Sequence, residues 1–411
     1  LDRRIFVIFL TVFIDLLGFG ILIPILPTFA QNVLFMNETL IGLTVGIFSL
    51  MQFIFNPLWG RLSDIYGRKP ILIFGLAGNV FSYIITGLVL SGVLQSVALL
   101  LIARAMAGFF SANIGAAMAY ISDVTPPKDR SKGMGLIGAA FGLGFVFGPF
   151  IGGILAGKFG YGFPVYLSAG LSLLALLLTF FFVNESLPLE LRRARSSSGV
   201  FSMKFLQNGW RKLVSSLKHP HVGFLILLYF LIMFSVANIY STFQLYAESS
   251  DGFEFDIEEV SYLFAFSGLI GAITQGVLIR PILRRFDERK VFIAACMIMG
   301  LGLGTIPFSN HYLPFLLISI LFMSFGNGLC LSIGLGLISK FTNPDEQGGI
   351  LGLTQSLASF ARFMGPTWGG FVYHYISFAA PFVTGGIVMI GATIMSLKLL
   401  KAKYKHSSNP H

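Results

Sequence analysis

Gly60-Arg61-Leu62-Ser63-Asp64-Ile65-Tyr66-Gly67-Arg68-Lys69 is a short charged stretch set between two long apolar runs, 41–59 and 70–91. A run of about 18 residues or more crosses a hydrocarbon core of about 30 Å as a helix. The two runs therefore read as a membrane hairpin, with the charged stretch as its turn on one face. Glycines at both ends permit a tight reversal. Asp64 can meet Arg68 four residues on, or cap a neighbouring helix. A solvated basic turn accounts for the same residues without any mechanism.

The pattern continues in both directions. Apolar runs cover about 5–30, 41–59, 70–91, 96–120, 131–156, 162–184, 221–247, 259–280, 291–309, 313–339, 349–374 and 377–398. Of the 411 residues, 55% are apolar and 11% charged, and the mean hydropathy is +0.81. A soluble chain carries about a quarter charged residues, so soluble, disordered and collagen-like classes are excluded. Alternating barrel strands do not give such unbroken runs. The expectation is an all-α membrane protein of twelve transmembrane helices. The first run is too long for a signal peptide and is kept as a span.

Basic residues give the orientation. All but three of the 28 Lys and Arg fall at the N-terminus, on the loops that share its side of the membrane, or in the tail. The exceptions are Lys158 on the opposite side and Arg104 and Arg362 within spans. The opposite-side segment 248–259 holds Glu248, Asp251, Glu254, Asp256, Glu258 and Glu259 without a basic residue. Positive-inside bias then predicts that both termini and the long middle loop are cytoplasmic, in a plasma (inner) membrane if the cell is bacterial. The same bias explains the net charge of +10 without nucleic acid, since no basic segment is long enough to form a separate domain.

An internal repeat divides the chain into 1–184, a basic linker 185–220, 221–400 and a tail 401–411. Gly148-Pro149-Phe150-Ile151-Gly152-Gly153 returns 217 residues later as Gly365-Pro366-Thr367-Trp368-Gly369-Gly370, with Pro127 and Gly135-Leu136 matching Pro344 and Gly352-Leu353. Two pseudo-symmetric six-helix bundles, with a site near the midplane where they meet, follow from such a duplication. The linker holds a candidate surface helix around 204–217.

The charged turn at 60–69 resembles the signature of the major facilitator superfamily, with Gly60, Asp64, Gly67, Arg68 and Lys69 on its pattern. Arg104-Ala105-Met106-Ala107-Gly108 is a second shared element. The run Gly144 to Gly153, through Gly148, Pro149 and Gly152, is similar to the antiporter signature of exporters. The first span, Asp15 to Pro27, is similar to that of tetracycline and multidrug exporters of the twelve-helix drug:proton antiporter branch. By that resemblance, Asp64, Arg68 and Asp123 form a cytoplasmic charge cluster that locks the outward-open state. The antiporter glycines form a tight seal against proton leak. A plain helix-packing role for those small residues fits equally.

Asp15, Arg104 and Arg362 lie near the midplane, since at about 1.5 Å per residue each is about 10–20 Å from a membrane face. Burying such groups costs at least about 2.5–3.5 kcal/mol each, so they face a polar cavity or one another. Asp15 reads as the proton carrier or as a structural partner of Arg104. Arg104, which holds its charge, tunes Asp15 or binds. Arg362 is outside the family pattern and reads as an interface residue or as a binder of an anionic substrate group. Gln52, Asn113, Asn238, Gln244 and Gln355 are candidates for the substrate cavity. Cys296 and Cys330, both in apolar runs, form no disulfide framework or CxxC motif. With no Walker loop, metal cluster or nucleophile elbow, no enzyme activity, metal or cofactor is expected. The expected activity is proton-coupled export of small amphiphilic, aromatic compounds by a monomer in the lipid bilayer. Transport of a sugar, lipid headgroup or organic anion is the alternative, and a non-transporting receptor a remote one.

Overall fold

The computed structural model describes residues 3–125, 130–190, 192, 222–342 and 347–401. Twelve long helical segments run through them: α1 Arg3–Asn32, α2 Glu38–Tyr66, α3 Arg68–Leu90, α4 Val97–Val124, α5 Arg130–Phe159, α6 Gly162–Phe182, α7 Val222–Glu248, α8 Ile257–Arg285, α9 Glu288–Phe308, α10 Leu313–Phe341, α11 Gln347–Tyr375 and α12 Ala380–Leu400. Eleven are long and apolar enough to cross a membrane. The remaining one, α11, is as long as α2 but more polar along its length. The candidate surface helix at 204–217 lies outside the described residues.

Side-chain caps start several helices. Asn37 accepts from the Leu40 amide and Ser96 from the Leu99 amide. Asp256 and Glu259 form a reciprocal capping box on α8, and Asp287 accepts from the Arg289 and Lys290 amides on α9. Each cap satisfies helix N–H groups that have no intrahelical partner. Among the described residues three of the helices are irregular within their length. A 3₁₀ turn at Ser111–Asn113 splits α4, residues 239–241 break α7, and a π-helical turn at Thr274–Leu278 interrupts α8. Such departures concentrate at functional positions because they turn backbone and side chains out of the regular ladder.

One reading of the turn at 60–69 is corrected. Gly60 lies inside α2, which continues to Tyr66, and only Gly67, at φ 107°, makes the reversal. With 29 residues α2 is about 43 Å long, more than the hydrocarbon needs, so its charged end projects beyond it as helix.

The repeated glycine-proline element makes equivalent contacts in both bundles. Gly148 and Gly152 of α5 press on Gly20 and Ile21 of α1, while Gly153 meets Ile257 and Ser261 of α8. In α11, Gly365 and Gly369 press on Ala237 and Asn238 of α7, while Gly370 meets Glu38 and Gly42 of α2. Each copy thus holds the first helix of its own bundle and the second helix of the other. A Cβ at any of these positions would overlap the facing chain.

The bundles meet along the half of the molecule away from the termini. There Gly157 abuts Glu258, Gly268 abuts Val146, and Gly46 abuts Phe363. Toward the terminal face the same helices diverge: Gly138 and Gly142 of α5, Gly271 and Gly276 of α8, Gly60 of α2, and Gly349 and Gly352 of α11 have open space where a Cβ would stand. The seam between bundles is closed on the face opposite the termini and open on the terminal face.

Candidate functional site

Inside the N-terminal bundle a buried polar chain crosses four helices. Asn79 Nδ2 of α3 donates to Asp15 Oδ1 of α1 at 2.9 Å, and Ser111 Oγ of α4 donates to Asn79 Oδ1 at 3.1 Å. Gln52 Nε2 of α2 donates to the Ser111 carbonyl at 3.4 Å. Asp15 is 2% exposed, and its Oδ2 has no hydrogen-bond partner among the described residues. Tyr83 packs against Gly18, one turn above Asp15, so closely that a Cβ on Gly18 would overlap the Tyr83 hydroxyl.

Arg104 is 1% exposed, and its Nε and Nη1 lack partners among the described residues. Its guanidinium lies 4.9 Å from the Phe48 ring centroid and 6.0 Å from that of Phe19. The direct partner of Asp15 is therefore Asn79, and no Asp15–Arg104 ion pair is present among the described residues. A cation over aromatic faces in a dry setting gains about 2 kcal/mol.

Phe19 and Phe48 begin an aromatic seam that passes between the bundles. Phe19 meets Phe48 in a tilted contact at 4.8 Å and Phe145 of α5 edge to face at 5.7 Å, and Phe145 stacks on Tyr240 of α7 at 5.9 Å. Phe53 of α2 meets Phe360 of α11 at 4.9 Å, and Phe360 meets Phe230 of α7 at 6.1 Å. These rings sit where the helices begin to separate toward the terminal face. Arg362 follows Phe360 on α11, is 8% exposed, and donates from Nη2 to Ser359 Oγ at 2.8 Å. Among the described residues no carboxylate pairs with it.

The residues proposed for a substrate cavity fall in different places. Gln52 belongs to the buried chain just described, and Asn113 is buried against Gly75 of α3. Asn238 Nδ2 ties α7 to the Pro381 carbonyl of α12 at 2.6 Å, and Gln244 Nε2 donates to Glu248 at 2.7 Å. Gln355 is half-buried on the open part of α11. Of these only Gln355, with Arg362, lies beside the seam. The aromatic residues and Asn79 were not singled out in the sequence. Their only signal there is helical spacing from Asp15 and Arg104, which many apolar and polar positions share.

The closed face has its own polar cover. Thr28 of α1 donates to Glu248 of α7 at 2.7 Å, and His374 of α11 lies 2.7 Å from Glu38 of α2. These bonds join the two bundles over a shallow cavity of about 590 Å³ that also includes Tyr161, Asp256 and Tyr373.

On the terminal face Arg68 meets Asp64 at 2.6 Å and Asp123 at 3.2 Å, and its Nη1 donates to Ser63. Glu185, absent from the expected cluster, accepts from the Arg68 and Lys69 amides at 2.9 and 3.1 Å and so caps α3. Its own carboxylate faces Arg192 at 3.9 Å. The cluster therefore ties α2, α3 and α4 to the start of the linker. Arg68→Gln is expected to lower the melting midpoint of the detergent-solubilised protein by about 5 °C, since two acidic groups lose a buried partner. Arg68→Lys should recover less than half, because a single ammonium nitrogen cannot take the three separate places that Nε, Nη1 and Nη2 hold toward Asp123, Ser63 and Asp64. An unchanged midpoint in Arg68→Gln would show that the pairs carry no structural load.

A family model described as Major Facilitator Superfamily matches residues 8–286 and 225–411. The chain is 28% identical over 395 residues to Multidrug resistance protein 2 of Bacillus subtilis (strain 168), covering 95% of this chain and 93% of that one. It is 26% identical over 409 residues to the class H tetracycline resistance protein of Pasteurella multocida, covering 98% and 96%. Among solved structures, the crystal structure of the human organic anion transporter MFSD10 (TETRAN) superposes with a TM-score of 0.68 at 25% identity, over 96% of this chain and 99% of that one.

Proposed function

Because this chain belongs to the Major Facilitator Superfamily, we propose that it is a secondary active exporter that moves small amphiphilic, aromatic compounds by alternating access in exchange for protons. Relatives named as multidrug and tetracycline resistance proteins, matched over almost their whole length, support export. The basic terminal face is the cytoplasmic one by the positive-inside rule, with both termini inside and the chain acting as a monomer. The seam is then open to the cytoplasm, ready to receive substrate.

Asp15 carries the coupling part of the reading. Among the described residues it is the one carboxylate deep within a span, and one of its oxygens is free. Phe19 stands one turn along α1 and belongs to the aromatic seam. Substrate and proton thus act on successive turns of one helix. A compound stacked among Phe19, Phe145 and Tyr240 moves α1, with α5 packed on it, relative to α3, and the Asp15–Asn79 bond feels the shift. Gly144, Gly148, Pro149, Gly152 and Gly153 keep that contact tight during the rocking motion. The cluster of Gly67, Arg68, Lys69, Asp64 and Asp123 acts when the cytoplasmic side shuts, as a lock on the outward-open state. The test is proteoliposomes holding a pH-sensitive dye and challenged with gradients of aromatic amphiphiles. Substrate-driven proton movement is the expected result; exchange of substrate with no proton movement would make the protein a facilitator.

Transport of organic anions is a second reading. It is favoured by two midplane guanidinium groups with no paired carboxylate among the described residues, and by a solved neighbour described as an organic anion transporter.

A further inference from the structure

The two halves of the seam are chemically unequal at one repeat-related position. Arg362 stands 217 residues after Phe145, the offset that relates the glycine-proline elements. Where the N-terminal bundle offers a ring, the C-terminal bundle offers a guanidinium. Both positions address Tyr240. Phe145 stacks on it at 5.9 Å, and Arg362 lies within electrostatic reach of Tyr240 and Tyr229.

Of the two midplane arginines Arg362 is the more exposed. Arg104 is 1% exposed and sits behind Phe48 and Phe19. Arg362 retains 8% exposure and bonds only Ser359, one turn back on its own helix, among the described residues. Ser359 fixes one edge of the guanidinium, and no other bond to it is present among the described residues. Arg362 shares the Ser359 and Gly365 face of α11, which packs on α7, whereas Phe360 and Phe363 take the face toward α2. A planar fork of donors near the Phe145–Tyr240 stack matches a carboxylate attached to a ring system.

We propose that Arg362 is a specificity-determining residue that binds the carboxylate of an aromatic acid, with the ring of that acid stacked on Phe145 and Tyr240. This rests on the transport reading for its physiological meaning but not for its test. The bound molecule lies across the seam, acid end on the C-terminal bundle and ring on the N-terminal one. It therefore contacts both bodies that must move.

The experiment compares 1-naphthylacetate with its uncharged amide, which share shape and ring. Binding to purified wild-type protein, Arg362→Gln and Arg362→Lys is measured by equilibrium dialysis in detergent at neutral pH, where the acid is ionised. Wild type is expected to bind the acid at least about tenfold more tightly than the amide. Arg362→Gln should erase that preference while leaving amide binding unchanged, and Arg362→Lys should keep part of it. Equal binding of acid and amide by wild type, or an equal loss of both in Arg362→Gln, would overturn the proposal. Retained amide binding certifies that Arg362→Gln is folded. If that variant does not bind the amide, Arg362→Lys decides: an acid preference as large as wild type's, or none in wild type, overturns the assignment. Absence of proton-coupled flux in proteoliposomes, with the binding preference intact, would remove the exporter reading and leave the subsite standing.

Discussion

Asp15→Asn is expected to reduce substrate-driven proton movement to the level of protein-free liposomes while leaving the protein folded. The substitution is close to isosteric. The new side-chain carbonyl can accept from Asn79 Nδ2 as Asp15 Oδ1 does at 2.9 Å, and the amide nitrogen replaces the oxygen that has no partner among the described residues. What is lost is the capacity to exist in two charge states. An asparagine presents one state to both sides of the membrane, so no proton can be exchanged for substrate. Substrate counterflow, which needs rocking but no net proton transfer, should persist in this variant. Proton movement at the wild-type rate would reduce Asp15 to architecture and send the search for the coupling group elsewhere. Asn79→Ala is a milder companion: the carboxylate stays but loses its one hydrogen bond among the described residues, and coupling should weaken before it disappears.

The second large effect is structural. Gly148→Val and Gly365→Val are expected each to lower the melting midpoint by about 10 °C or to abolish recovery of folded protein. Overpacking a filled core costs about 1–3 kcal/mol, and more when the obstacle is backbone. At Gly148 the obstacle is the Gly20 backbone, and at Gly365 it is the Asn238 amide and the Ala237 side chain. Because helix association in lipid depends on such close approach, no hydrophobic gain offsets the clash. Gly352→Val is the control. Nothing lies within 4 Å of a Cβ there, so the midpoint should change little. Scanning fluorimetry on the three variants side by side decides the matter. A similar fall in Gly352→Val would mean that the terminal-face half of α11 is packed in solution.

Much of this architecture was legible in the residues. Spans announce themselves because lipid tolerates few polar groups, and the glycine-proline repeat announces the duplication because close helix contact admits few residue types. The side proposed for each loop rests on Lys and Arg alone, and Asp64, Arg68 and Asp123 converge as the motif implies. The failures have a common cause. Asn79, Ser111, Gln52 and Asn238 are all uncharged polar residues in apolar helices, and composition says nothing about which neighbour each one meets. Gln52 joins the Asp15 chain and Asn238 ties α7 to α12. The Phe residues, 44 in all, carry no mark that separates those at the seam from those facing lipid. Gly60 looked like a hinge because charge follows it, yet a helix may leave the membrane before it turns. Glu185 stayed hidden because its partners are the backbone amides of Arg68 and Lys69, which no side-chain motif records.

The polarity of α11 has a consequence for how the chain is made. A ribosome delivers spans in order, and each enters the bilayer readily in proportion to its own apolar content. The segment with Gln355, Ser359 and Arg362 is a poor candidate for independent entry, since a lone arginine in hydrocarbon is costly. Its partners, α2 and α7, have been synthesised long before it emerges. Stable insertion of α11 therefore depends on surfaces that are already in place, and on α12 arriving behind it. Biogenesis would pass through a species with ten spans settled and a cleft waiting along α2 and α7. Lesions that disturb that cleft, such as a bulky residue at Gly42, would then act during synthesis and feed the quality-control machinery, well before any cargo is met.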